Sequence, residues 1–143
     1  MTEWSRTNVA VLIAAAVGVV VLLVVALSGS GGGDASEVER VVAQIRAAEL
    51  DHYAKYREYV ATGWAPRPRY EVDGSEVAWA SDPGFQRLGF APDAPTLVGT
   101  YRVTVDERGF VVTGVCDVDG DGHQRVVTAT ATQEATVASG DEL

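Results

Sequence analysis

The chain has 143 residues, 20 acidic against 11 basic side chains and a formal net charge of -9, with 47% hydrophobic residues. That charge argues against nucleic acid and anionic lipid as partners, and the length allows one small domain with no room for a second core. A lone cysteine, Cys116, excludes an internal disulfide.

Residues 1–8 are neutral in side-chain charge, Glu3 against Arg6, and Val9 to Leu27 follows without a charged residue. A helix of that segment is roughly 28 Å long at about 1.5 Å per residue, which matches a bilayer core. The expectation is a transmembrane helix over 9–27, with residues 1–8 cytoplasmic. A cleaved signal peptide competes, because "ALS" before Gly29 has suitable small residues, but its apolar region usually runs about 7 to 15 residues. No Lys or Arg follows the segment until Arg40, so the rest is placed outside by the positive-inside rule. The implied location is the inner membrane, single-pass, with the C-terminal domain periplasmic or extracellular. "SGSGGG", Ser28 to Gly33, reads as a flexible tether in front of a domain over 34–143.

Ser36 and Glu39 have the spacing of a capping box, and a helix from there to about Val60 is expected. Val38, Val41, Val42, Ile45, Ala48, His52, Tyr53, Tyr56 and Tyr59 recur at three- and four-residue spacing and define its packed face. Gly63, Pro66 and Pro68 stop it. From Pro66 to Pro95 the composition predicts a long ordered loop, anchored by Trp64, Tyr70, Trp79, Phe85 and Phe90, with a short strand pair around Asp73-Gly74.

Beyond the loop the period changes to two. Leu97 to Val105, Phe110 to Cys116 and Arg125 to Thr132 predict an antiparallel meander with "DERG" in its first turn. Tyr101, Val103, Val105, Phe110, Val112 and Val127 fall on the face that would receive the helix. A short, fraying strand is expected after Gln133. The fold class read from this order is α+β: a transmembrane helix, then an amphipathic helix packed on a small antiparallel sheet.

Asp117, Asp119 and Asp121 alternate in the loop between the second and third meander strands, with Gly122 and His123 after them. This D-x-D-x-D-G spacing copies the first half of a calcium loop, in which positions 1, 3 and 5 give side-chain oxygens and position 7 a backbone carbonyl. The predicted metal ligands are Asp117, Asp119, Asp121 and the carbonyl of His123, the predicted ion is Ca2+, and Asp106, Glu107 and Glu134 stand as unranked further ligands. Position 12 is Thr128 rather than Glu, so the loop is not an EF-hand. An Asp-Gly turn kept soluble by its charges is the plainer alternative.

Little points to catalysis. Cys116 precedes Asp117, whose charge disfavours a thiolate, and His52 falls on the apolar helix face. The expectation is a non-enzymatic protein. The segments "AAELDHYAKYREYVA", "WASDPGFQRLGFAPDAP" and "CDVDGDGHQRVVTATAT" together resemble type IV pilin-like proteins of Gram-negative bacteria. The resemblance covers roughly Val38 to Thr132 and implies a helix laid on an antiparallel sheet, an extracytoplasmic place, and an envelope or pilus protein as partner. No Gly-Phe precedes the apolar segment and no acidic residue lies inside it, where pilins carry their leader cleavage point and filament glutamate. The functional expectation is therefore a membrane-anchored pilin-like domain with a calcium-binding loop, in an interaction or structural role. A minor pilin or secretion-system pseudopilin that enters a filament is the alternative.

Overall fold

The computed structural model describes residues 33–139. Helix α1, Gly33–Tyr56, is followed by a 3-10 turn at Arg69–Glu71, strand β1 (Val77–Ala78), helix α2 (Pro83–Leu88) and strands β2 (Thr96–Leu97), β3 (Thr100–Asp106), β4 (Gly109–Cys116), β5 (Arg125–Thr130) and β6 (Thr136–Ser139). β3 to β6 form a four-stranded antiparallel sheet in sequential order, and β1 pairs with β2 in a separate antiparallel ribbon.

The predicted span Val9 to Leu27 and the residues before it lie outside the described residues. Among the described residues no helix is long and apolar enough to cross a membrane. α1 is long enough, but Glu37, Glu39, Arg40, Arg46, Glu49, Asp51 and Lys55 punctuate it. The fold class is therefore corrected to α+β, with no transmembrane helix among the described residues. The membrane anchor, the single-span membrane partnership and the inner-membrane location lose their support with it.

α1 lies on β4 and β5. Val38, Val41, Val42 and Ile45 are fully buried against Tyr101, Val103, Phe110, Val112, Val127 and Ala129. The approach is close at Gly114, where an added Cβ would stand 2.6 Å from Val42 Cγ2 and 3.1 Å from the Tyr101 ring. Only the absence of a side chain there lets the helix settle onto β4. Near the start of α1, Glu37 Oε1 accepts from the amides of Val98 and Gly99 and from the Tyr101 hydroxyl at 3.0, 3.2 and 3.2 Å. Burial, then the Glu37 charge, pushes the Tyr101 hydroxyl far up.

Several local readings change, Val105 among them, which is exposed rather than on the packed face. α1 begins at Gly33, before the capping box, and ends at Tyr56, before the predicted Val60, because Arg57 takes a left-handed backbone (φ 60°) and donates its amide to Tyr53 O at 2.9 Å. Tyr53 and Tyr56, predicted on the packed face, are exposed, and Glu49 occupies a fully buried position instead. The strand pair forms at Val77–Ala78 with Thr96–Leu97 rather than around Asp73-Gly74. α2 appears within the predicted loop, with Asp82 Oδ1 capping the Phe85 amide at 2.9 Å, Pro83 at its start and Gly89 (φ 69°) at its end. Phe85 then packs edge-on against Trp79 and tilted against Phe90 at centroid separations of 5.2 and 5.7 Å, whereas Tyr70 is exposed and anchors nothing.

Candidate metal centre

β4 and β5 stay paired down to Cys116 and Arg125, and the aspartates lie in the loop beyond that pair. The loop is built by its own carboxylates. Asp117, 1% exposed, accepts the Gly120 amide on Oδ1 at 2.8 Å and the Gly122 amide on Oδ2 at 2.9 Å. Asp119 Oδ1 accepts from the Asp121 amide at 3.2 Å, and Asp121 Oδ1 from the His123 amide at 2.8 Å. These local bonds are the reason aspartate favours turns. Gly120 (φ 75°) and Gly122 (φ 92°) supply the left-handed backbone that turns their amides back onto Asp117.

One carboxylate oxygen from each of Asp117, Asp119 and Asp121 lies within 4.8 Å of the others, so the cluster could hold a metal ion. The donor set fits a hard divalent cation: all oxygen, and close enough for one ion at about 2.3–2.6 Å from each to bridge them. The five ion pairs among the described residues involve none of the three. No cationic side chain among the described residues pairs directly with them.

His123 is exposed, and its amide is spent on Asp121. The three unranked further ligands are misplaced. Asp106 and Glu107 lie at the β3–β4 turn and Glu134 between β5 and β6, both at the opposite end of the sheet. Eight residues of β4 separate the ends by roughly 24 Å at about 3.4 Å per residue.

The segment that does reach the loop is 69–75. Arg69 and Gln124 exchange hydrogen bonds, Nε to Oε1 at 3.0 Å and Nε2 to the Arg69 carbonyl at 3.2 Å. Gly74 (φ 81°) sits so close that an added Cβ would meet Asp117 O at 3.0 Å. Behind it the buried Arg67 binds Asp73 Oδ1 and Ser75 Oγ, both at 3.1 Å, and the carbonyls of Ser75 and Val98 at 2.6 and 2.7 Å. The Ser75 hydroxyl and amide, with Arg67 beside them, hold the Asp73 carboxyl below its usual range. Sequence reasoning missed this brace, although "DGS" after an arginine is a turn with a ready anchor.

Cys116 is fully buried in the core, as expected, while the His52 ring packs on the exposed Tyr56 at 4.6 Å and lies 3.6 Å from Glu58. No family model, curated protein or solved structure matches the chain. The class defined by fold and site is an α+β domain with an acidic loop at one end of its sheet.

Proposed function

We propose that this domain is a non-enzymatic, calcium-binding structural or interaction module of pilin-like architecture. The observation that carries the reading is the convergence of three carboxylates, one of them buried, within 4.8 Å and with no cationic side chain paired to them. Calcium accepts an irregular set of oxygens of this kind, whereas magnesium demands near-ideal octahedral geometry and gives up its water reluctantly. With the His123 carbonyl the loop offers four protein oxygens, and water completes the shell of six to eight that calcium takes. The pilin-like part of the reading draws on the helix laid across an antiparallel meander, which is the arrangement the sequence resemblance implies.

Carboxylates about 5 Å apart repel by roughly 1 to 3 kcal/mol per pair at an effective dielectric of 20 to 80, and a divalent ion reverses that sign. At about 1 mM calcium and a dissociation constant of about 0.1 mM, mass action stabilises the domain by on the order of 1.4 kcal/mol. Thermal melts of the full chain should rise by roughly 5 °C from chelator to calcium, and by less in equimolar magnesium. Asp119→Ala should abolish the rise while changing the chelator melt little, since Asp119 accepts only one exposed amide. Identical wild-type melts in calcium and chelator would leave the loop a charged turn.

A further inference from the structure

The connection between α1 and the sheet is closed by a carboxyl that the aspartate loop does not touch. Glu49 is fully buried on α1, and its Oε2 accepts the Val60 amide at 2.9 Å, while Oε1 has no hydrogen-bond partner. Val60 is buried too, in the reversal that follows Arg57. From there the chain runs along the outer edge of β3: the Thr62 amide donates to Val103 O at 3.0 Å, Thr62 Oγ1 accepts the Val103 amide at 2.9 Å, and Ala65 and Tyr101 exchange amide bonds at 3.0 and 2.8 Å. Those contacts cover the one edge of the four-stranded sheet that β6 does not occupy.

Nothing charged answers Glu49. On its own helix, Arg46 is committed to the carbonyls of Thr130 and Ala131, and His52 lies 3.6 Å from Glu58. The reversal brings Glu58 and Tyr59, and α2 brings Arg87, which donates to Glu58 at 2.6 Å. The sheet turns Val103, Phe110, Val112, Val127 and Ala129 into the same core. An ionised Glu49 would be a buried charge with a single amide donor, an arrangement that costs several kcal/mol unless the group finds water.

We propose that Glu49 is a proton-operated latch: neutral, it holds Val60 and the chain over 57–65 against the edge of β3, and ionised, it lets that connection detach and bares the edge. Burial raises the Glu49 carboxyl to about 7, against the opposing pull of the Val60 amide, so the change falls near neutral pH. The uncovered strand edge would present unpaired amides and carbonyls suited to an added strand.

Hydrogen exchange on the full chain in chelator, corrected for intrinsic rates, tests this at pH 5.5 and 8.5. At the lower pH the amides of Val60, Thr62 and Ala65 should be protected. At the higher pH they should lose about thirtyfold in protection and fall well below core amides such as Val112 and Val127. Glu49→Gln, neutral throughout and still an acceptor, should hold them protected at both. The latch is overturned if these amides exchange only together with the core amides at pH 8.5, or if Glu49→Gln keeps the wild-type pH response. Should that variant not fold, carbon NMR of the wild-type carboxyl decides: a Glu49 titration midpoint near 7 upholds the proposal, and one near 4.5 sinks it.

Discussion

Asp117 and Glu49 are both carboxyls almost without solvent exposure, yet the backbone treats them differently. Asp117 has an amide for each oxygen, from Gly120 and Gly122, whereas Glu49 has one amide for two oxygens. The cause is the element each sits on. A loop with left-handed glycines can turn its own amides inward, but a helix has already spent its interior amides on its own carbonyls. A carboxyl buried on a helix therefore depends on whatever chain crosses over it, and here only Val60 does.

The largest expected effect separates the two sites by pH. The Glu49 carboxyl is raised from 4.5 to about 7, so its contribution is fully present below about pH 4.5 and is lost as pH rises through 7. The ceiling on that loss is about 3 kcal/mol, and local release of the connection at high pH keeps the observed loss below it, at about 1–2 kcal/mol between pH 5 and 8. Glu58, held down chiefly by the Arg87 hydrogen bond, and Asp73, held down by Ser75, act the other way: their stabilisation is lost only as pH falls through and below the ordinary carboxylate range. Stability should therefore peak near pH 5. Urea denaturation across that range in chelator checks it, and a wild-type profile that rises from pH 5 to 8 would remove Glu49 from the account.

Next in size is Asp117→Ala. It leaves the Gly120 and Gly122 amides without their acceptor, and although both glycines are exposed, each loses a bond to a charged carboxylate, so the cost in chelator should be about 2 kcal/mol. Asp117 would then stabilise the loop with or without metal, in contrast to Asp119. A loss below about 0.5 kcal/mol in denaturant titrations would mean that the glycines and the Arg67 brace shape the loop unaided.

The contrast between the sites also explains what could be read from sequence. Val38, Val41, Val42 and Ile45 followed helical spacing and packed as expected, and the period-two runs became β3, β4 and β5. The aspartate spacing identified a loop whose carboxylates do converge. Glu49 carries no such signal: a carboxyl is normally solvated, and nothing local shows that residue 60 will return to cover it. Tyr53 reads as a packed ring because aromatic side chains usually bury, yet it stacks on Tyr59 at 4.5 Å at the surface. The meander itself decides the further ligands: in a sequential meander alternate turns share an end, so Asp106, Glu107 and Glu134 lie opposite the aspartates.

The smallest expected effect isolates the entrance to the reversal from the latch. Arg57 holds a left-handed backbone, φ 60°, at the end of α1, where glycine carries no steric penalty. That conformation costs an L-residue about 1–2 kcal/mol. Arg57→Gly removes the cost but also the guanidinium stacked 6.0 Å from the Tyr53 ring, a contact worth about 0.5 kcal/mol at an exposed site. Glycine also gives the unfolded chain more freedom to lose. The balance should be a gain of about 0.5 kcal/mol, equal at pH 5 and pH 8, because the Glu49 carboxyl and the Val60 amide are untouched. Paired urea titrations at the two pH values measure it. A gain confined to pH 8 would mean that strain at Arg57 helps to open the latch, and the reversal would then act as one unit with Glu49. A loss at both would mean that the Tyr53 contact outweighs the backbone strain.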